Sequence, residues 1–311
     1  MLKKIKEQID NAKNIVIAGH VNPDGDAIGS AIALSKMIKQ YGSSKNVKVC
    51  FNDELPEYTK ELLKDINIYK EVTDDIDLLI SVDTANLERL AVTKEMIEKA
   101  KKTVCIDHHI SNTGYFDINY IKDISSASEL IYDFLDVLNI KLSKEIAEFM
   151  YLGIINDTGN FRHSNVTSNT FRICANLLDE GINASYITQV LFSKSNKKAE
   201  IFSKAIIDKI YFEDIKFAYY YLKYEDMLKL GITKDDTDGI AEYLLTIKEN
   251  DITLFLREEA DHSIKGSFRS KFVNVNYIAS FFGGGGHIKA AGFKTNMAVD
   301  DIIGKVRELL K

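Results

Sequence analysis

The sequence predicts an α/β protein whose N-terminal part is built on a parallel sheet. Short runs rich in aliphatic and β-branched residues alternate with segments of helical periodicity, and these runs occupy residues 14–18, 47–51, 77–82 and 103–106. Strands that alternate with helices form parallel sheets, because each helix carries the chain back to the start of the next strand. Residues 26–41 place apolar side chains on one face and end at Gly42, which predicts a helix packed on this sheet.

A second α/β region follows a mostly helical stretch at 126–195. After the charged, polar segment 193–200, strands are predicted at 217–222, 252–256 and 264–268, and helices near 238–248, 275–281 and 298–310. We therefore expect a larger domain at 1–190, a linker at 191–200 and a smaller α/β domain at 201–311. The active cleft is expected between the two domains.

The composition agrees with a soluble, folded chain. Its 311 residues are 45% apolar, which is enough to bury two cores. The first ten residues mix charged and apolar side chains at helical spacing, so we expect neither a signal peptide nor a membrane span, and a cytoplasmic location. The net charge of -6 argues against general binding to duplex DNA, because that affinity comes from Lys and Arg meeting phosphates.

The cysteines are isolated from one another. Cys50, Cys105 and Cys174 lie singly in apolar stretches, with no C-x-x-C spacing. This pattern argues against both a disulfide framework and a thiolate metal site. We expect all three to be buried as small apolar side chains.

Histidine and aspartate side chains follow three of the predicted strands, as His20, Asp24 and Asp26, then Asp83, then the run 107–109. Ligands of open α/β sheets bind beyond the carboxyl ends of the strands, so these segments should face one crevice. A tight turn with Asp26 as a helix N-cap would also explain the first cluster, and Asp83 has the same alternative. Neither alternative explains the histidines. Carboxylates and imidazoles gathered in this way suit a pair of divalent cations.

A further carboxylate, Asp157, ends an apolar run that is predicted to be helical. A buried anion is costly unless it is paired, and the C-terminus of a helix repels negative charge. A bound cation would remove both objections. Oxygen ligands with added imidazole favour Mn²⁺, with Mg²⁺, Fe²⁺, Co²⁺ and Zn²⁺ as alternatives.

With these motifs the sequence resembles the DHH phosphoesterases, a family named for the motif that is Asp107-His108-His109 here. The resemblance covers almost the whole chain, because residues 266–270 and 282–293 resemble the family's associated substrate-binding domain. Residues 1–190 would then be the catalytic domain and 201–311 the domain that captures substrate. The resemblance implies six metal ligands, which are His20, Asp24, Asp26, Asp83, His108 and Asp157.

The family pattern also implies a division of roles among these residues. One metal would be held by His20 and Asp24, the second by Asp26, His108 and Asp157, with Asp83 bridging both. Asp107 would orient a neighbouring histidine ring. His109 would face the substrate and donate to a phosphoryl oxygen as negative charge builds in the transition state.

A glycine run in the C-terminal region, 283–286, is followed by His287 and by small residues at 290–292. A hinge or a tight turn explains a glycine run equally well. Small side chains would also let backbone N–H groups approach a phosphate, and the planar fork of Arg269 suits a terminal phosphate. The resemblance implies a substrate-binding set of Arg269, Ser270, Gly284, Gly285, Gly286 and His287.

The resemblance implies hydrolysis of phosphate esters in small nucleic-acid substrates. Family members of this size and layout degrade short oligonucleotides to mononucleotides and remove the 3′-phosphate of 3′-phosphoadenosine 5′-phosphate (pAp). A phosphodiesterase of cyclic di-AMP or linear pApA, an exopolyphosphatase and a non-catalytic nucleotide-binding module remain alternatives. We expect short single-stranded RNA or DNA, or nucleotides, as partners, with neither duplex DNA nor a membrane, and a homodimer is left open.

Overall fold

The computed structural model describes residues 1–64 and 66–310 of the chain. The chain forms two compact units that divide between Ser193 and Lys194. This division falls inside the predicted linker 191–200. That segment is not extended throughout, because residues 196–200 begin a helix whose first turn is capped by the Ser195 side chain.

The first unit is built on a six-stranded sheet with the order β3-β2-β1-β4-β5-β6. All neighbouring strands pair in parallel, which confirms the predicted class of fold. The edge strands β3 and β6 were not predicted, because they are short and only partly buried. The strands are β1 (Asn14–Ala18), β2 (Asn46–Cys50), β3 (Ile68–Tyr69), β4 (Leu78–Val82), β5 (Lys102–Asp107) and β6 (Ile118–Ile121).

The strand order reverses between β1 and β4, which creates a crevice at their carboxyl ends. The predicted helix at 26–41 is present and begins one residue earlier. The helices of the first unit are α1 (Leu2–Asn11), α2 (Gly25–Tyr41), α3 (Thr59–Leu62), α4 (Lys94–Lys99), α5 (Ala127–Tyr132), α6 (Phe134–Leu138), α7 (Lys144–Asp157), α8 (Ser168–Asp179) and α9 (Ala184–Phe192).

Helices α2 and α7 pack closely because glycines lie at their crossing. A Cβ added to Gly29 would lie 2.4 Å from the carbonyl oxygen of Phe149 and 3.0 Å from the backbone nitrogen of Gly153. Asp26 lies one turn before Gly29 on α2, and Asp157 lies one turn after Gly153 on α7. The close crossing therefore brings the acidic ends of the two helices to the same crevice.

The second unit contains a six-stranded mixed sheet with the order β11-β12-β10-β9-β8-β7, in which only β8 and β9 pair in parallel among the described strands. Its strands are β7 (Ile210–Phe212), β8 (Phe217–Leu222), β9 (Ile252–Glu258), β10 (Ile264–Ser270), β11 (Gly285–His287) and β12 (Ala290–Thr295). Its helices are α10 (Asn196–Asp208), α11 (Tyr224–Leu230), α12 (Ile240–Leu245), α13 (Val275–Phe281) and α14 (Val299–Leu309).

The sheet of the second unit is covered differently on its two faces. One face buries Phe268 and Leu254 in the core that also contains residues of α13 and α14. The other face carries Phe255, which packs with residues of α10, α11 and α12. Strands β7, β11 and β12 were not predicted, because β7 has only three residues and glycines interrupt β11 and β12.

Two expectations about bulk properties can be compared with the structure. All three cysteines are buried free thiols, as predicted. None of the helices in the described parts of the chain has the length and apolar character needed to cross a bilayer.

Candidate functional site

The six predicted ligands lie at the carboxyl end of the first sheet in two groups that share Asp83. Within each group, one potential ligand atom per residue lies within 4.8 Å of the others. The first group is His20, Asp24 and Asp83, and the second is Asp26, Asp83, His108 and Asp157. Residues separated by up to 137 positions along the chain are thus brought together by the strand order of the sheet and by the crossing of α2 and α7.

His20 follows β1 and presents one ring nitrogen to the crevice. Its Nδ1 lies 2.9 Å from the carbonyl oxygen of Val21 and donates to it, since a carbonyl can only accept. The Nε2 atom lies 3.7 Å from Asp24 Oδ1 and 3.5 Å from Asp83 Oδ2. A neighbouring acceptor that fixes one nitrogen and leaves the other free is typical of a metal-binding histidine.

Asp24, rather than Asp26, is the N-cap of α2. Its Oδ1 accepts from the backbone N–H groups of Asp26 and Ala27 at 2.9 and 3.1 Å. The alternative that made Asp26 the cap is therefore wrong. The Asp24 side chain is 45% exposed, so it can also reach a ligand in the crevice.

Asp26 is fully buried and is fixed by a different element. Its Oδ2 accepts from the backbone N–H of Ala127 at 2.6 Å, and its Oδ1 accepts from Ser128 at 2.9 Å. Both donors belong to the first turn of α5. Burial, followed by the negative charges of Asp157 and Asp83, raises the pKa of Asp26 well above its ordinary value.

His108 connects the two remaining carboxylates. Its Nδ1 lies 3.2 Å from the carbonyl oxygen of Ile124, while Nε2 lies 3.2 Å from Asp83 Oδ1 and 3.0 Å from Asp157 Oδ2. Asp83 has a left-handed backbone with φ of 48°, a conformation that aspartate tolerates better than most residues. Asp157 is the last residue of α7, where the helix dipole disfavours an anion.

The donor set fits divalent cations on two grounds. Asp83 Oδ1 and His108 Nε2 are buried, and within the described residues neither atom makes a hydrogen bond, although they lie 3.2 Å apart. Burial disfavours the charged form of each histidine, but the adjacent carboxylates outweigh it and raise the pKa of His20 to about 10 and that of His108 to about 12. A cation would replace these protons as the counter-charge of the carboxylates.

His109 has a ring nitrogen within 4.8 Å of ligand atoms of Asp83 and His108, but it also has a carboxylate partner of its own. Its Nδ1 donates to Asp107 Oδ1 at 2.8 Å, and this hydrogen bond raises the pKa of His109. The side chain is 38% exposed, whereas Asp107 is fully buried. This arrangement orients the ring and leaves Nε2 available to a bound molecule.

Asn112 completes this chain of contacts and was not predicted. Its Nδ2 donates to Asp107 Oδ2 at 2.7 Å and to the carbonyl oxygen of Thr84 at 3.1 Å. The buried amide therefore holds the carboxylate that holds His109. A single asparagine in a predicted loop carries no sequence signal that distinguishes it from a turn residue.

In the second unit, the pairing register aligns Arg269 with His287. Both residues lie directly opposite Ala290, on β10 and β11 respectively. Directly opposed residues project from the same face of a sheet, so Arg269 and His287 share a face with a small residue between them. We call this surface the Arg269 face. Arg269 also donates to the carbonyl oxygen of Phe268 at 2.7 Å and pairs with Glu242.

Ser270 does not lie on the Arg269 face. Neighbouring residues of a strand point to opposite faces, and its Oγ accepts from the backbone N–H groups of Phe272 and Val273 at 3.1 and 2.7 Å. Its side chain therefore fixes the turn after β10. Ser270 and Arg269 thus face opposite sides of the sheet, and the predicted substrate-binding role of Ser270 stays a prediction.

Gly284 and Gly286 are required by close backbone packing, whereas a Cβ on Gly285 would make an ordinary contact 3.5 Å from Asn276 Oδ1. A Cβ on Gly284 would lie 2.1 Å from the carbonyl oxygen of Gly292, and Gly286 has a φ of 152°. The N–H of Gly286 donates to Asn276 Oδ1 at 2.8 Å, and that of Gly284 donates to Ala279 O at 3.0 Å. These two amides already have acceptors within the second unit, and the substrate-binding role of residues 284–286 stays a prediction.

Comparison with known families matches both units. The model of the DHH family N-terminal domain matches residues 14–154, and that of the DHHA1 domain matches residues 214–311. A Streptococcus mutans protein named probable bifunctional oligoribonuclease and PAP phosphatase NrnA is 30% identical, over 99% of each chain. A Bacillus subtilis protein named bifunctional oligoribonuclease and PAP phosphatase NrnA is 29% identical, over 89% of this chain and 88% of its own.

A solved structure resembles the entire chain. It is that of an exopolyphosphatase-related protein from Bacteroides fragilis, which is 26% identical, with a TM-score of 0.89 over 99% of this chain and 95% of its own. A Methanococcus jannaschii structure titled putative family II inorganic pyrophosphatase is 18% identical, with a TM-score of 0.52 over 94% of this chain and 99% of its own, and shows a shared fold.

Proposed function

This chain belongs to the DHH family, as its motifs indicated, and from that we propose that it is a metal-dependent phosphohydrolase of short oligonucleotides and of pAp. The observation that carries the proposal is the pair of His and Asp groups that share Asp83. The names of the relatives from Streptococcus mutans and Bacillus subtilis support the choice of substrate. The enzyme class is thus hydrolase acting on phosphoric ester bonds.

The metal-binding roles in this proposal follow the two groups. His20 and Asp24 would hold one ion, Asp26, His108 and Asp157 the other, and Asp83 both. When bound, two such ions supply positive charge to the phosphoryl oxygens and make a water more acidic. We propose Mn²⁺, because the set combines carboxylate oxygens with imidazole nitrogens, with Mg²⁺ and Co²⁺ as competitors.

His109 would act on the substrate directly. The Asp107 hydrogen bond fixes its Nδ1 as a donor and favours the protonated ring, which leaves an Nε2–H to donate to a phosphoryl oxygen. Asn112 would be a positioning residue, because it contacts Asp107 and not the crevice cluster. The buried hydrogen bonds reduce the freedom of the ring before substrate arrives.

Replacing Asn112 by leucine should lower kcat by roughly 10-fold or more while KM changes less than about twofold. Leucine has a similar volume but cannot donate, so Asp107 Oδ2 loses its partner and the His109 ring is no longer fixed. Steady-state kinetics and a thermal melt of the same preparation measure this. A lower melting temperature with an unchanged kcat would assign Asn112 to the fold alone.

Arg269 would bind a terminal phosphate of the substrate. We expect Arg269→Ala to raise KM for 5′-phosphorylated dinucleotides by about 10-fold and to leave kcat nearly unchanged. The charge-assisted hydrogen bond that is lost stabilises the bound substrate and the transition state equally. Glu242→Gln is the matched variant, because it releases Arg269 from its ion pair. It should lower KM or leave it unchanged. An Arg269→Ala defect confined to kcat would contradict an anchoring role.

The test of the proposed function is a substrate panel with purified protein and Mn²⁺. It contains pAp, pApA, cyclic di-AMP, inorganic polyphosphate, single-stranded oligonucleotides of increasing length and a duplex control. Turnover of pAp and of the shortest oligonucleotides, with no cleavage of the duplex, is expected. Turnover of cyclic di-AMP alone or of polyphosphate alone would refute the proposed substrates and identify a phosphodiesterase or an exopolyphosphatase. Binding of nucleotides without turnover would identify a non-catalytic binding module.

A further inference from the structure

Three cationic residues lie side by side across the second sheet. Lys294 on β12 is directly opposite Lys265 on β10, and Lys265 is directly opposite Arg257 on β9. We call Lys294, Lys265 and Arg257 the cation row. Since Lys265 and Arg269 are four residues apart on one strand, the cation row projects from the Arg269 face.

Only the outer members of the cation row are compensated. Arg257 Nη2 lies 2.8 Å from Glu259 Oε1, and Lys294 Nζ lies 3.1 Å from Asp261 Oδ2. Within residues 1–64 and 66–310, no carboxylate oxygen lies within 4 Å of the Lys265 ammonium. Like charges directly opposite each other destabilise an antiparallel pair, so this register has a cost that a bound anion would relieve.

A polar cavity of about 190 Å³ connects Lys265 and Arg257 of the cation row to Arg269. Lys265, Ser267 and Arg269 line it from β10, Arg257 lines it from β9, and the segment 237–242 closes it. Two carboxylates also line the cavity. Glu242 is paired with Arg269, and burial raises the pKa of Asp238 while the charges of Lys198, Lys265 and Arg257 oppose that shift. The Lys265 ammonium therefore lines the cavity without an ion pair among the described residues.

We propose that Lys265, with the Ser267 hydroxyl, binds a second phosphate group of the substrate. The inference rests on the proposed function and adds a substrate feature to it, namely a second phosphate. At roughly 3.4 Å per residue, the backbones of Lys265 and Arg269 lie about 14 Å apart along β10, so each contacts a different phosphate. Substrates long enough to place one phosphate at each residue engage both, whereas a mononucleotide product engages one. The site thus favours short oligonucleotides over the product of their hydrolysis.

Binding can be measured without turnover. The probe is 5′-phosphorylated tri-adenylate with a fluorescent label, titrated in EDTA by anisotropy over a series of KCl concentrations. Lys265→Gln should weaken binding about tenfold at low salt and reduce the slope of log K against log salt by about 0.7, the value for one phosphate contact on a single strand. Lys265→Arg should retain the wild-type slope. The concentration of unlabelled AMP that displaces half of the probe should differ by less than about twofold between wild type and Lys265→Gln.

The control variant is Lys305→Gln on α14, which belongs to the opposite face of the sheet and pairs with Glu308. It should match wild type in affinity and salt slope. Thermal melts separate binding from folding, because Lys265→Gln removes repulsion from Lys294 and should not lower the melting temperature. A lower melting temperature with an unchanged salt slope would overturn the inference.

The same variants distinguish this inference from the proposed function. If wild type hydrolyses the expected substrates of the panel and Lys265→Gln binds the probe like wild type, the phosphate site at Lys265 is refuted. The proposed hydrolase function is then retained. If wild type binds the probe with a slope that depends on Lys265 but hydrolyses nothing, the phosphate site stands and the hydrolase is refuted. Absence of wild-type binding in EDTA would also refute the site.

Discussion

Asp83→Asn is expected to reduce kcat/KM by roughly three orders of magnitude or more, because its carboxylate is the one common to both ligand groups. The substitution keeps the volume of the side chain but removes the negative charge. Bound metal per protein, measured after dialysis by elemental analysis, should fall together with activity. The expected loss exceeds that of the other variants because both ion positions depend on one residue.

The matched control is Asp77→Asn, at the other end of the strand that Asp83 follows. Asp77 Oδ2 accepts from the backbone N–H groups of Lys13 and Asn14, contacts that an asparagine oxygen can retain. Its activity and metal content should match those of wild type. Activity of Asp83→Asn within about tenfold of wild type would refute the two-metal assignment.

Gly153→Ala should produce the second large effect, on stability and activity together. The added Cβ would lie 1.9 Å from Ser128 Oγ and 2.4 Å from Asp26 Oδ1, so these buried side chains or α7 itself must shift. Overpacking of this kind costs about 1–3 kcal/mol of the free energy of unfolding. Because Asp26 is displaced from the N–H groups of α5, metal affinity should fall as well.

Gly304→Ala is the control for the glycine-to-alanine change itself. Gly304 lies within α14, and a Cβ there would have no heavy atom within 4 Å. Alanine in an open helical position stabilises by about 0.5–1 kcal/mol relative to glycine. Urea unfolding of both variants, with activity measured in parallel, checks the pair. A Gly153→Ala protein as stable and as active as wild type would contradict the role of the helix crossing.

Backbone groups hold three of the predicted ligands in place. His20 and His108 each use one ring nitrogen on a backbone carbonyl, so the nitrogen that faces the crevice is fixed before a ligand binds. Asp26 is likewise fixed by backbone amides of α5. Little rearrangement of these side chains is therefore needed for metal binding, and preorganised ligands contribute most to affinity and to geometry.

The sequence by itself determined the class of fold of the first unit and the positions of its candidate ligands. Alternation of strand and helix is a local property, and residues that directly follow strands of a parallel sheet must meet at one edge of it. His20, Asp83 and His108 could therefore be assigned to one crevice from their positions alone. Asp157 could be added because a carboxylate at the end of an apolar helix needs a counter-charge.

Only the tertiary structure decided the contacts that depend on register and on close packing. Ser270 and Arg269 lie on opposite faces of the sheet because adjacent residues of a strand alternate between its faces. The side chain of Ser270 is instead held by the turn that follows β10. Asn112 acquired its role from a partner five residues away, and Lys265 from partners on strands that the sequence did not reveal or align. Pairing register is non-local, so no periodicity in the sequence specifies it.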